Sequence, residues 1–332
     1  MPDAIQSYLQ DVTSLFSNSQ QRLYWGYLLC ALGVAVSYSL YLKFQKNSTS
    51  TSGLLSSLKA FVSSSALADY KIILINKAIF LSIAPLLVTK LAIATALFEA
   101  LHQVFDGRIA LFPSLPQWAV ITLFTLFVFI FDDFMRFFCH RLMHKLSWLW
   151  LFHQTHHSAT SLTPLTVLRT HPVEGVIFAL RSALVQGISI ALFVYFFAER
   201  VDLFTVLNVN IALFVFNVAG SNLRHSHVRL CYWPWLEKWL ISPAQHQLHH
   251  STNPKHFDSN YGAVLAIWDR CFDSLIYSKN NDVTQFGLSN RAEDRVQTLS
   301  ALYVKPLFQC YRKLRRVMAP KSSKPTVEHS LD

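Results

Sequence analysis

Eleven of the fourteen histidines in this 332-residue chain fall between His140 and His250, most of them in groups of two or three at helical spacing. His140 and His144 stand four apart. His153, His156 and His157 form an H-x-x-H-H box, and His246, His249 and His250 form a second. Residues three and four apart share one face of a helix, so each group aims its imidazoles in one direction. Imidazole is a neutral nitrogen donor suited to iron, zinc and copper. A metal ion takes about four to six donors, so about eight to ten clustered histidines imply two ions. Two nitrogen-bound ions beside membrane-spanning sequence point to oxygen chemistry on an apolar substrate.

Composition says where the boxes must work. Hydrophobic residues make up 52% of the chain and charged residues 14%, and phenylalanine occurs 26 times. That is too apolar for an ordinary water-soluble enzyme and predicts an integral membrane protein. The formal charge is +10, but the basic residues gather near the ends of apolar runs and in the C-terminal segment. This pattern suits anionic headgroups and the orientation of spans, not nucleic acid. Cys30, Cys139, Cys231, Cys271 and Cys310 are scattered with no C-x-x-C pair, which argues against a disulfide framework or a thiolate metal site. Residues 1–22 are polar, with Asp3 and Asp11 and no basic start, unlike a signal peptide.

Five apolar runs are expected to position the boxes. The first is Leu23 to Phe44, followed by a Ser- and Thr-rich loop from Asn47 to about Ser65. The second, Ile72 to Ala100, contains Lys77, Pro85 and Lys90 and is expected to be kinked or to include an interfacial turn. The third, Trp118 to Ile130, continues without a break into His140 and His144. Val176 to Phe197 and Leu203 to Val218 read as a hairpin turned at Glu199-Arg200-Val201-Asp202. The organisation predicted is residues 1–130 as an N-terminal membrane region of three spans, 131–280 as a catalytic region enclosing the hairpin of about 176–220, and 281–332 as a basic C-terminal segment. Lys43, Lys46, Lys59, Lys71, Arg136, Arg141 and Lys145 place the linker after the first span, and every histidine box, in the cytoplasm. Trp233, Trp235 and Trp239 mark a segment at headgroup depth. Leu307, Phe308, Tyr311, Leu314 and Met318 recur among basic residues as an amphipathic helix suited to a membrane surface. The tail after Pro320 is polar and expected to be disordered.

The order of residues resembles a known family. Asp133-x-x-Arg136-x-x-x-His140-Arg141-x-x-His144 is followed by Trp150-x-Phe152-His153-x-x-His156-His157. Then come His225 and Pro243-x-Gln245-His246-x-x-His249-His250. The run closes with Asp258-x-Asn260-Tyr261-Gly262 and Trp268-Asp269-x-x-Phe272-Asp273. Over roughly Phe131 to Ile276 this resembles the fatty acid hydroxylase superfamily, also called the sterol desaturase family. That family includes C4-methylsterol oxidases, sterol C5-desaturases and alkylglycerol monooxygenase.

The resemblance implies an all-α membrane bundle with a cytosolic helical cap that holds a non-haem di-iron site. The implied ligands are His140, His144, His153, His156, His157, His225, His246, His249 and His250. His171, in the segment Arg169-Thr170-His171-Pro172-Val173-Glu174, is open between ligand, partner of a ligand and structural residue. His227 lies two after His225, so the two cannot face one metal from a regular helix, and His225 is the better candidate. Asp133, Asp258, Asp269 and Asp273 could each accept the outer N–H of a ligand histidine or pair with a nearby arginine. Asn260-Tyr261-Gly262 reads as a tight turn whose tyrosine could face the site.

The implied reaction is O₂-dependent hydroxylation or desaturation of an aliphatic C–H bond in a lipid or sterol that enters from the bilayer. Hydroxylation is favoured. The cofactors implied are two iron ions, for which zinc could substitute in purified protein, with O₂ and an external electron donor, either a redox partner or a pterin. The membrane would be a bacterial inner membrane or the endoplasmic reticulum. A zinc protease is argued against because no H-E-x-x-H occurs. The remaining alternative is a histidine-rich membrane protein that binds or transports metal without oxidase activity. A cation path through the spans fits poorly with Lys77, Lys90 and Arg181.

Overall fold

A backbone in hydrocarbon must satisfy its N–H and C=O groups internally, so apolar runs of spanning length become helices. In a computed structural model of the protein, residues 2–44, 58–111, 114–197, 221–289 and 296–318 are described, with 215 and 291 as isolated positions. Among these residues, four helical stretches are long and apolar enough to cross a membrane: Trp25–Phe44, Ser64–Val104, Gln117–Lys145 and Pro172–Phe197. The chain is an integral membrane protein, and no sheet strand forms among the described residues. Exposed Leu29, Leu32, Leu40, Leu91, Leu123 and Leu126 on these helices give lipid an apolar surface. The expected fifth run, Leu203 to Val218, lies outside the described residues apart from Val215, and the tail after Pro320 lies outside them entirely.

A helix α1 (Pro2–Ser17) precedes α2 (Trp25–Phe44). The second run is broken as its proline predicts. α3 (Ser64–Ile83) ends in a single 3-10 turn, Ala84–Leu86, that contains Pro85. α4 (Lys90–Val104) then restarts with the Thr89 side chain accepting from the Ala92 N–H. The third run forms α5 (Gln117–Lys145), which carries His140 and His144 on its last turns. Leu146 alone is extended and turns the chain directly into α6 (Ser147–His157). α7 (Pro172–Phe197) returns through the bundle.

Contacts along α7 set the directions. Phe80 of α3 sits at Gly175, Ile93 of α4 at Gly187, and Phe98 and His102 of α4 against Tyr195. The broken helix therefore runs alongside α7 in the same sense. α5 runs the opposite way, packing Val120, Phe124 and Val128 on Phe193 at one end and bringing its histidines to the start of α7 at the other. Arg181 of α7 reaches Asp132 of α5 (2.7 Å), which also accepts from Arg136 (2.6 Å).

The cap is assembled on the histidine end of the bundle. Its segments include the turn Ser221–His225, α8 (Pro243–His249) and α9 (Ile267–Cys271). Ser242 and Gln245 form a reciprocal capping box that fixes the start of α8. Asp133 fastens this cap to α5: its carboxylate accepts from the Val264 and Leu265 N–H groups and from Trp268 Nε1 (2.8, 3.0 and 2.9 Å). A fully buried pair, Arg169 and Asp69 (2.8 Å), joins the segment before α7 to α3. Finally α10 (Lys305–Met318) packs on α6, where Gln309 meets Gln154 and Lys313 meets Ser147 and the Trp148 ring. Its Leu307, Phe308, Tyr311 and Leu314 remain exposed.

Candidate metal centre

Helical spacing brings the boxes to one place. His140 and His144 come from the end of α5, and His153, His156 and His157 from the end of α6. His225 comes from a 3-10 turn, and His246, His249 and His250 from α8 and its C-cap. These nine side chains divide into two groups. His140, His144, His153, His157 and His249 form one, and His156, His225, His246 and His250 the other. Within each group one nitrogen per histidine lies within 4.8 Å of the others. The groups adjoin, since the His157 and His250 rings stack with centroids 4.6 Å apart.

The donor atoms fit metal coordination. The Nε2 atoms of His140 and His249 are 3.0 Å apart, those of His225 and His246 3.1 Å, and those of His246 and His250 3.3 Å. Metal–nitrogen bonds of about 2.1 Å put neighbouring ligand nitrogens about 3.0 Å apart in an octahedral set and about 3.4 Å apart in a tetrahedral one. Nε2 of His144, His153 and His157 is buried with no hydrogen-bond partner. An unsatisfied buried polar atom costs about 1–3 kcal/mol, and three converging ones are accounted for by a shared cation.

Four of the outer nitrogens are held. Nδ1 of His140 faces the Tyr261 carbonyl (2.8 Å), that of His249 the Ser259 carbonyl (2.7 Å), and that of His156 the Arg169 carbonyl (3.2 Å). Nδ1 of His153 faces Glu174 Oε1 (2.9 Å), with both side chains buried. A proton on Nδ1 leaves Nε2 with its lone pair toward the group. Burial holds His153 and His156 at about 3, far below an ordinary histidine. Burial, with neighbouring histidines adding to it, also keeps His157, His225, His246, His249 and His250 well below the ordinary value. The nest is thus made of neutral donors.

The other sequence candidates are not members of the two groups, although Tyr261 packs against the first. His171 sits outside both groups: its Nε2 meets the Tyr303 carbonyl (3.2 Å), and its Nδ1 accepts from the Val173 N–H. His227 is also outside, with its ring edge-on to Phe286. None of the four aspartates has a hydrogen bond to a histidine of the groups. Asp133 holds the cap loop. Asp258 pairs with Lys145 (2.8 Å) and accepts from the Tyr261 hydroxyl (2.8 Å). Asp269 accepts from the Tyr261 and Gly262 N–H groups and from Ser274. Asp273 occupies a left-handed turn position (φ 55°). Asn260 bonds the Gln245 carbonyl and the Ile276 N–H, while Tyr261 is buried with its ring 5.1 Å from that of His144. Glu174, absent from the sequence candidates, carries the carboxylate role expected of the aspartates. Its signal was the His171-Pro172-x-Glu174 segment.

Two adjoining histidine nests, built from the end of one spanning-length helix and the short segments packed beside it, define a helical membrane protein with a candidate metal centre. The fatty acid hydroxylase family model matches residues 125–274, the stretch that holds most of α5, all of α6 and α7, and the cap segments. The match covers this segment, somewhat less than half of the chain. The chain is 28% identical over 197 residues to an alkylglycerol monooxygenase of Caenorhabditis elegans, covering 59% of this chain and 34% of that protein. It is 28% identical over 170 residues to a Delta(7)-sterol 5(6)-desaturase of Gibberella zeae, covering 51% and 47%. The human alkylglycerol monooxygenase is 27% identical over 208 residues, covering 60% and 42%. These alignments span a third to a half of the length of the relatives. No solved structure matches the chain.

Proposed function

We propose that this protein is an O₂-dependent oxygenase that hydroxylates an aliphatic C–H bond of a lipid or sterol drawn from the bilayer. The observation that carries the reading is the pair of adjoining histidine groups at the shared end of α5 and α7. Each group would hold one iron ion: His140, His144, His153, His157 and His249 the first, and His156, His225, His246 and His250 the second. Bound iron supplies the redox chemistry that an unactivated C–H bond requires and that no side chain can provide. The balance is RH + O₂ + 2e⁻ + 2H⁺ → ROH + H₂O, with the electrons from an external donor, a redox protein or a pterin. Desaturation by the same site would remove two hydrogens and leave an alkene.

The residues of this chain do the positioning. Glu174 and the carbonyls of Tyr261, Ser259 and Arg169 fix ring orientation, so the ligand set is pre-arranged. Asp133 clamps the cap loop to α5 and so holds the cap segments against the histidine end of that helix. The distribution of basic residues favours a cytoplasmic cap. Purified protein should contain two iron ions per chain and consume O₂ in the presence of a reductant and lipid extract, giving a product one oxygen atom heavier. His249→Ala should abolish this turnover at normal expression. Metal bound at that stoichiometry with no lipid oxidised under any donor would favour a metal-binding or transport protein instead.

A further inference from the structure

α10 (Lys305–Met318) is seated in the reverse of the orientation that water imposes on a surface helix. Pro306, Gln309, Cys310 and Lys313, at spacings of three and four, form the face turned to the rest of the chain; Pro306 is buried and the other three are half-buried. Gln309 accepts from Gln154 of α6 (2.9 Å), and Lys313 reaches Ser147 and lies over the Trp148 ring. The opposite face carries Leu307, Phe308, Tyr311, Leu314 and Met318, which are 48% to 72% exposed. A helix on the surface of a water-soluble domain turns its apolar stripe to the core and its polar side outward. Here the apolar stripe points away from the protein.

Charge and position restrict what covers it. Lys305, Arg312 and Arg316, at spacings of seven and four, line one edge of the stripe, and Arg315 stands among its apolar side chains. All four are exposed, and among the described residues none of the ion pairs uses them. The start of the helix is tied to the bundle: the Tyr303 hydroxyl donates to Asn76 of α3 (2.8 Å), and the Tyr303 carbonyl meets His171 just before α7 (3.2 Å). Asn76 lies between Leu74 and Leu81, both exposed on a stretch long and apolar enough to cross a membrane. The stripe of α10 thus begins within a side chain's reach of a lipid-facing part of α3. An acidic protein surface would match the basic edge, whereas an acidic leaflet matches the edge and the stripe together. Residues 319–332, next in the sequence, have only Val327 and Leu331 as large apolar side chains, too few to cover five.

We propose that α10 is an interfacial helix seated on an acidic leaflet of the bilayer that the spans cross. Leu307, Phe308, Tyr311 and Leu314 enter the acyl chains, and Lys305, Arg312 and Arg316 meet lipid phosphates. This side of the cap is then held down on the membrane, with α6 and its histidine box attached through Gln154 and Ser147. The seat needs neither metal nor turnover and is independent of the oxygenase reading.

The test uses the full chain in lipid nanodiscs of phosphatidylcholine, with or without one part in four of phosphatidylglycerol. In the first measurement p-benzoylphenylalanine replaces the exposed Phe308 and is photolysed. The expected product carries a phospholipid adduct at that position. Cross-linking to a second copy or to another segment of the chain in its place, or no lipid adduct, overturns the proposal. In the second measurement, chymotrypsin cleavage after Phe308 and Tyr311 is timed by mass spectrometry in the unsubstituted chain, because its rate follows the fraction of time the helix is off its seat. Cleavage should be about tenfold or more slower in the acidic discs. R312Q/R316Q changes two exposed side chains outside the packed face. It should reduce that difference by about fivefold for each charge removed, with the rate in phosphatidylcholine alone unchanged. Equal rates for the unsubstituted chain in the two discs, or a slowing undiminished in R312Q/R316Q, overturns the proposal.

Discussion

Glu174 offers the sharpest test of how the nest is held. Its Oε1 lies 2.9 Å from Nδ1 of His153, and both side chains are 3% exposed. Glu174→Ala removes the group that keeps the proton on Nδ1 and the lone pair on Nε2. A hydrogen bond to a charged partner in such a place contributes about 1.5–3 kcal/mol, and loss of the outer partner of a ligand histidine lowers metal affinity by about 10–100-fold. Glu174→Gln keeps an oxygen that can accept from Nδ1, so its loss should be within a few-fold of the native protein. The assay is metal retention against a graded chelator, with circular dichroism as a check on helix content. The reasoning fails if E174A holds metal as tightly as the native chain. It also fails if E174Q is as weak as E174A, because the site would then depend on the charge and not on the tautomer.

Asp133→Ala should destabilise the protein by about 3 kcal/mol or more, since three buried donors of the cap lose their acceptor; a fall in the midpoint of thermal denaturation in detergent would register it. Gly187→Ala would place a Cβ 2.7 Å from Ile93 Cβ and 2.9 Å from the Lys90 carbonyl, forcing α4 off α7 at a cost of about 1–3 kcal/mol. A native midpoint in G187A would contradict the direction assigned to the broken helix. In metal-free protein, His153 and His156 stay neutral down to about 3 when folded but take up protons near 6.5 when unfolded. Acid therefore favours the unfolded chain, and stability should fall by about 2 kcal/mol per histidine between pH 7 and 5. Denaturant midpoints measured across that range would expose a flat profile if these imidazoles were solvated.

Local periodicity explains what was legible. Spacings of three and four report a helix face directly, so the boxes at His153 and His246 and the pair at His140 could be read without knowing how the chain returns on itself. Pro85 likewise announced the break between α3 and α4. The partners of the outer nitrogens were hidden for a physical reason: three of them are backbone carbonyls, at Tyr261, Ser259 and Arg169, and a carbonyl has no residue signature. Asp133 shares a helix face with His140 by spacing. The cap loop at Val264 and Leu265 folds onto it and uses its lone pairs, a long-range contact that no local pattern encodes. Glu174 was visible beside His171, but which of its neighbours it served depended on how α6 meets α7.

The buried guanidinium of Arg169 and carboxylate of Asp69 have a bearing on how the molecule is made. Asp69 leaves the ribosome a hundred residues before Arg169. An isolated carboxylate in so apolar a setting is costly, while the completed pair is tolerated. The second turn of α3 must therefore stay hydrated, or Asp69 stay protonated, until the loop after the first H-x-x-H-H box has been synthesised. Because Arg169 also lends its carbonyl to His156, neutralising that charge and orienting the histidine occur in one late step. Nascent chains halted before Arg169 should have Asp69 open to water or protonated, and no orienting contact for His156 from that carbonyl.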